Sequence, residues 1–176
     1  MIDKKTFWNE SGKAGLVLGS VSIIYVMLNW MLSKADGGVM VSILIGLLWL
    51  AKLSISVWLL HFLMQRYHDG LEDPDRRDIH SFGNATAFCS ALFYSAFNLA
   101  YMLFIAPDTI SQAMDLAMES YSSFMDPSQL EMMESMIPKM PALSFFFNLA
   151  YCWLFGTVLS SVFSRSICSS YDIFSE

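Results

Sequence analysis

The sequence predicts an all-α fold, a polytopic membrane protein with four transmembrane helices. Four apolar stretches, at residues 14–32, 39–64, 82–106 and 142–163, approach or exceed the roughly 20 helical residues that cross about 30 Å of hydrocarbon. Composition agrees, because 55% of the 176 residues are hydrophobic and only 15% are charged. A soluble helical bundle is the alternative, but it would have to bury this apolar surface without lipid. We therefore expect a single membrane domain over residues 1–176.

The first apolar stretch could be mistaken for a signal peptide. It is long, it has no convincing small-residue cleavage site, and another apolar stretch follows soon after it, so we expect it to be retained. Gly15 and Gly19 lie four residues apart in it, which is the spacing that lets two membrane helices approach closely. This face is therefore expected to pack on another helix.

The positions of the cations predict the orientation of the four spans. Lys and Arg resist translocation, whereas Asp and Glu contribute little to orientation. Seven cations lie at the two termini and in the loop between spans two and three: Lys4, Lys5, Lys13, Arg66, Arg76, Arg77 and Arg165. The opposite side has only Lys34 and Lys139. Both termini and that loop are therefore predicted to face the cytoplasm.

The segment 107–141, between spans three and four, has the pattern of an amphipathic helical lid. Its apolar residues recur at steps of three and four: Ile110, Met114, Ala117, Met118, Tyr121 and Phe124. Asp108 is the expected N-cap of a first helix, and Asp126, followed by Pro127 and Gln129, is that of a second. We expect the pair to cover the outer face of the helices.

Several classes of function are disfavoured by the composition and motifs. A net charge of −6 argues against nucleic acid as a partner, since phosphate binding needs a basic surface. Cys89, Cys152 and Cys168 have no CxxC spacing and are expected to be small buried hydrophobic residues. The His- and Asp-containing loop at 65–81 matches no strong metal-binding pattern, so no metal or other cofactor is predicted. No catalytic motif occurs, and we expect the chain not to be an enzyme.

Two asparagines within the predicted spans share one pentapeptide, Phe-Asn-Leu-Ala-Tyr, at residues 97–101 and 147–151. Consecutive spans run antiparallel, which would place Asn98 and Asn148 at similar depth. A direct hydrogen bond between the two amides is predicted, with about 0.6–2 kcal/mol available to fix helix register. A role in lining a ligand site is the alternative.

Lys52 is the most pronounced functional candidate, because it is a cation near the middle of the second apolar stretch. Such a cation costs at least about 2.5 kcal/mol on insertion scales and normally faces a partner or a wet cavity. No Asp or Glu falls within a predicted span. Ser56 is one turn away, and other helices offer further polar groups: Tyr25, Asn29, Asn84, Asn98 and Asn148. An anionic ligand such as a lipid phosphate would be a counterion; a neutral amine, snorkelling, or a carboxylate from the lid or another subunit are the alternatives.

Two short motifs, together with the order of the four spans and the short basic loop, carry a resemblance to a known family. They are Ser-Phe-Gly-Asn-Ala at 81–85 and Met-Asp-Pro-Ser-Gln-Leu-Glu at 125–131. The chain resembles domain-of-unknown-function family 4199, small inner-membrane proteins of Gram-negative bacteria, over roughly residues 10–168. It departs from the family pattern at 78–80, where Asp-Ile-His replaces a Gly-rich approach, so no ligand role is expected for that turn.

The resemblance implies no activity, since the family has none assigned. The genetic setting of some members is similar to that of proteins working with polyprenyl-phosphate glycosyltransferases. The leading hypothesis is therefore a non-enzymatic accessory subunit of the bacterial inner membrane that anchors or regulates a protein partner, such as that enzyme. The alternative is a lipid or small-anion carrier that uses Lys52. A homo-oligomeric pore is a third reading, and membrane lipids are expected partners in every case.

Overall fold

The structure, a computed structural model, consists of helices wherever regular structure is described. It describes residues 4–34, 38–71, 74–107, 112, 115–116, 118–120, 126, 128, 132 and 135–172. Four long helices dominate: α1 (Lys4–Ser33), α2 (Gly38–Asp69), α3 (Arg76–Ala100) and α4 (Met140–Asp172). All four are long and apolar enough to cross a membrane, α3 together with the turn that follows it and α4 with the turn that precedes it. The predicted all-α, four-span fold is confirmed.

The predicted stretches at 14–32, 39–64 and 142–163 lie within longer helices, because these helices continue into polar sequence at their ends. The stretch at 82–106 begins within α3 and extends past the end of that helix at Ala100. The α2 helix runs on to Asp69, and Arg66 and His68 in its last turn suit the negative end of the helix dipole. The α3 helix begins at Arg76, where the backbone N–H groups of Asp78 and Ile79 donate to the Asp75 carbonyl. It continues as a π-helical turn, Tyr101–Ile105. The apolar stretches that predict the spans do not show how far each helix continues into the flanking polar sequence.

The chain forms two compact units, Met1–Tyr94 with Leu149–Glu176, and Ser95–Asn148. In the first unit, α1, α2, the beginning of α3 and the end of α4 pack around a core where α2 ends and α3 begins. Its most buried members include Leu60, Met64, Ile79 and Phe82. Tyr67 stacks on Phe82 with ring centroids 3.8 Å apart. Only 6–17% of the most apolar window of each helix is buried, as expected of helices that face lipid.

Small residues set the closest helix approaches in this unit. A Cβ added at Gly15 would lie 2.5 Å from the Cβ of Cys89, and one at Gly19 would lie 3.0 Å from the Phe93 ring, so both glycines lie against α3. A Cβ at Gly83 would lie 2.6 Å from the Ser160 hydroxyl of α4. These contacts bring backbones together where there is no hydrophobic driving force between helices in lipid.

The second unit contains the predicted lid segment. Residues 112, 115–116, 118–120, 128, 132 and 135–136 are helical, and Leu116 and Met132 are largely exposed. Asp126 is described, but the other predicted cap, Asp108, and the predicted first-turn residues Pro127 and Gln129 lie outside the described residues. The packing of a lid on the outer face of the helices stays a prediction.

Candidate functional site

Lys52 lies near the middle of α2, and its half-buried side chain ends between two aromatic rings. The ammonium Nζ is 5.2 Å from the ring centroid of Tyr25 on α1 and 5.2 Å from that of Tyr94 on α3. Each cation–π contact contributes about 0.5–2 kcal/mol, depending on how far the pair is desolvated. The two rings thus offset much of the roughly 2.5–3.5 kcal/mol that it costs to insert a cation at the centre of a membrane helix. They do not neutralise its charge.

A cavity of about 130 Å³ lies beside Lys52, between α1, α2, α3 and α4 of the first unit. Its lining includes seven residues with polar side chains: Ser22, Lys52, Ser56, Ser90, Tyr94, Tyr151 and Cys152. Among the described residues, none of those that line the cavity is an aspartate or a glutamate. One water needs about 10–15 Å³ of such volume, so the cavity has room for several waters or one small polar group. Lys52 gives this cavity a positive charge, although most of its lining residues are apolar.

Ser56, one turn after Lys52, provides a second polar group without a partner at this cavity. Its Oγ is buried and makes no hydrogen bond within the described chain. Buried hydroxyls are normally hydrogen-bonded, and leaving one unpaired costs about 1–3 kcal/mol. The atom has almost no accessible surface, so a polar ligand or water in the cavity would satisfy it only after the side chain rotates.

Lys52 also lines an apolar groove of about 230 Å³ between α1 and α2. The other residues of the groove are Val21, Ile24, Tyr25, Leu28, Leu48, Ala51 and Ile55. Tyr25 belongs to the groove and Tyr94 to the cavity, and the ammonium is equally far from both rings. The Lys52 ammonium therefore lies where an apolar groove meets a cavity that contains several hydroxyl-bearing residues.

Asn84, which the sequence offers as a group that could solvate Lys52, has other partners. Its Oδ1 accepts hydrogen bonds from Nε1 of Trp153 and Oγ1 of Thr157, both at 2.8 Å. It joins α3 to α4 and is not a lining residue of the cavity. Asn29 is also outside the cavity lining, and its Oδ1 has no hydrogen-bond partner among the described residues.

The two repeated asparagines both belong to the second unit. The Asn148 Nδ2 donates to Oγ of Ser144, one turn earlier in the same helix, at 3.4 Å. Asn98 is buried, and no hydrogen bond joins the two amides in the described part of the chain. Similar depth in antiparallel helices does not fix the rotation of each helix about its axis. The structure thus replaces the predicted amide pair with a contact inside one helix.

Five polar residues of the cavity were not connected with Lys52 by sequence reasoning: Ser22, Ser90, Tyr94, Tyr151 and Cys152. Ser90 and Tyr94 come from α3, and Cys152 comes from α4. Tyr94 had one available signal, a hydroxyl-bearing ring four residues before Asn98 inside an apolar stretch. Cys152 was interpreted as a small buried hydrophobic residue. A cysteine in an apolar helix carries no signal of its neighbours.

In the described part of the loop at 65–81, the histidines have local contacts. The His68 Nδ1 lies 3.3 Å from Oδ1 of Asp69. The His61 ring, before the loop, packs edge-on against Phe163. No group of three or more His, Cys, Asp or Glu residues with metal-binding geometry occurs among the described residues.

Four spanning helices and an enclosed cationic cavity define a multi-pass membrane protein with a polar site among its helices. The family model described as "Protein of unknown function (DUF4199)" matches residues 13–165. The chain therefore belongs to the DUF4199 family, which confirms the resemblance inferred from its motifs. No curated protein and no solved structure matches it.

The motif at 81–85, one of the two that carry the family resemblance, has a structural explanation. Phe82 is part of the buried core, Gly83 allows the close approach of α4, and Asn84 holds α4 through two hydrogen bonds. The second motif, at 125–131, is described only at Asp126 and Ser128. The first motif therefore acts in helix packing and not at Lys52.

Proposed function

We propose that this chain is a non-enzymatic integral membrane protein that binds an anion at Lys52 within the membrane, as the binding step of a carrier. The anion is either free or the headgroup of a lipid. The observation that carries this proposal is the combination of the Lys52 ammonium and the unpartnered Ser56 hydroxyl at one enclosed cavity. None of the described residues that line the cavity has a carboxylate, so the positive charge of Lys52 is uncompensated.

Electrostatics favour an anion over water alone at this site. An ammonium in a low-dielectric interior is stabilised most by an opposite charge that also accepts its hydrogen bonds. The Lys52 ammonium and the hydroxyls of Ser22, Ser56, Ser90 and Tyr94 can all donate to an anion. Charge-assisted hydrogen bonds of this kind are roughly twice as strong as neutral ones. An anion thus removes both the net charge and the unpaired hydroxyl.

The sequence favoured an accessory subunit, and the cavity shifts the preference to the carrier alternative. The subunit hypothesis rests on the missing catalytic motifs and on the family resemblance. The exposed apolar faces of the helices accept lipid as readily as a protein, so they do not favour a partner. A subunit that works with a polyprenyl-phosphate glycosyltransferase, and a homo-oligomer, stay predictions.

The proposal places the protein in a bacterial inner membrane with both termini in the cytoplasm, supported by the seven-to-two distribution of cations. Single cysteines at Arg76 and Lys139, both exposed, test this orientation in a variant without Cys89, Cys152 and Cys168. An impermeant maleimide is expected to label Lys139→Cys from outside intact spheroplasts and Arg76→Cys only after lysis. Labelling of both from one side would contradict the orientation.

Replacement of Lys52 by methionine tests the binding function. Methionine has a similar length but no charge, so we expect it to abolish retention of an anion. The full-length protein and the Lys52→Met variant are reconstituted in native-lipid nanodiscs, and bound molecules are measured by native mass spectrometry. About one anion per wild-type chain is expected, with at least a tenfold loss in the variant, which corresponds to about 1.4 kcal/mol.

Lys34→Met is the matched control for this experiment. Lys34 lies 3.9 Å from the Trp30 ring at the end of α1 and lines neither the cavity nor the groove. Its loss should leave the bound anion in place. Equal retention by the wild type and both variants would contradict the proposed function.

A further inference from the structure

We infer that the ligand is a long-chain carboxylate, with its carboxylate in the Lys52 cavity and the first part of its chain in the groove between α1 and α2. This inference rests on the proposed function and narrows it to one class of ligand. The proposed ligand is a single-chain fatty acid. Binding of a lipid with a phosphate headgroup instead is one of the alternative results of the test.

The arrangement of the two spaces favours an amphiphile over a small anion. The groove residues other than Tyr25 and Lys52 are aliphatic, whereas the residues that line the cavity include five with hydroxyl groups and one with an ammonium. The ammonium lies 5.2 Å from one ring of each space. A molecule that follows the groove therefore reaches the cation at its polar end. A free anion would use the cavity and leave the groove to bulk lipid.

The charge of the cavity favours a carboxylate over a phosphate monoester. Lys52 is the one charged residue among the described residues that line the cavity, so it balances one negative charge. A carboxylate carries a single charge, whereas a phosphate monoester carries about −1.5 to −2 at neutral pH. The excess charge of the phosphate would be buried without a partner, which is costly in a low-dielectric site.

The size of the cavity and the way a ligand reaches it also favour a carboxylate over a phosphate. A volume of about 130 Å³ suits a small headgroup, and a phosphodiester would need space for a second substituent. A carboxylic acid can also bind a proton and travel through hydrocarbon as a neutral molecule.

Binding of three radiolabelled probes to the full chain in nanodiscs tests the inference: palmitate, hexadecyl phosphate of the same chain length, and acetate. We expect palmitate to bind about tenfold more tightly than either of the others. Lys52→Met should abolish palmitate binding.

Two alanine-to-tryptophan variants separate the groove from the cavity. Ala51 is exposed and lines the groove, so Ala51→Trp fills the groove from the lipid side and should weaken palmitate binding about tenfold. Ala150 is exposed on α4 and lines neither space, so Ala150→Trp is the control and should bind as the wild type does. Thermal unfolding of each variant confirms that it is folded.

The outcomes distinguish the inference from the proposed function. If hexadecyl phosphate or acetate binds as well as palmitate, with Lys52 required, the function stands and the long-chain carboxylate is wrong. If Ala51→Trp leaves palmitate binding unchanged, the inference of a long-chain carboxylate is also wrong. If Lys52→Met changes the binding of no probe, both the function and the inference fail.

Discussion

Gly83→Val is expected to lower the free energy of unfolding by about 2–3 kcal/mol, because it overpacks a buried contact between helices. A Cβ at Gly83 would lie 2.6 Å from the Ser160 Oγ and 2.8 Å from the Met64 Sδ. Both neighbours are fully buried, and the Ser160 hydroxyl donates to the Gly156 carbonyl at 2.7 Å. Neither can move aside without disturbing the contact between α3 and α4.

Gly46→Val is the control for this prediction, because nothing lies within 4 Å of a Cβ added at Gly46 in α2. Valine is a slightly better helix former than glycine, so the control should be neutral or mildly stabilising. Detergent-induced unfolding followed by circular dichroism measures both variants. Equal stabilities for Gly83→Val and Gly46→Val would show that α3 and α4 do not approach closely at Gly83.

Lys52→Met is expected to stabilise the ligand-free protein by about 1 kcal/mol, since the cost of the cation exceeds the two cation–π contacts that hold it. With ligand at 100 times its dissociation constant, the wild type gains about 2.7 kcal/mol and the variant gains nothing. The order of stability should therefore reverse when ligand is added. A gain of stability on removing a functional charge is typical of binding sites.

The sign of this change distinguishes a ligand site from a structural ion pair. If Lys52 were held by a carboxylate of the lid or of another subunit, its removal would destabilise the protein by about 3–5 kcal/mol, because a buried charge would lose its partner. Unfolding of delipidated wild type, Lys52→Met and Lys34→Met measures the sign. A large destabilisation confined to Lys52→Met would contradict the ligand site.

The four spans could be predicted from the sequence because hydrocarbon thickness fixes how long an apolar helix must be. Which helices pack against each other could not be predicted from the sequence. Gly15 and Gly19 identify a face of α1, but nothing in the spacing identifies Cys89 and Phe93 of α3 as the contacts. Packing between apolar helices depends on shape, and shape complementarity leaves little trace in residue type.

The candidate site was predictable only in part, for a related reason. Lys52 stands out because a cation is rare in an apolar span, and Ser56 follows from helical spacing. Tyr94 and Cys152 come from other helices, so their position depends on how α3 and α4 are rotated. Likewise, no hydrogen bond joins Asn98 to Asn148 in the described part of the chain, although the sequence predicts similar depth for the two amides. Sequence reports depth in the membrane far better than it reports which side of a helix faces which neighbour.

Solid-state NMR on the Lys52 side chain in native-lipid membranes tests the central claim most directly. The ¹⁵N signal of the Lys52 Nζ is assigned by its loss in Lys52→Met, and its dephasing by carboxyl ¹³C and by ³¹P is measured. An ammonium bonded to an anion has an N···O distance of about 2.7–2.9 Å, so strong dephasing by one of these nuclei is predicted. An Nζ signal that neither nucleus dephases would contradict a carboxylate or a phosphate at Lys52.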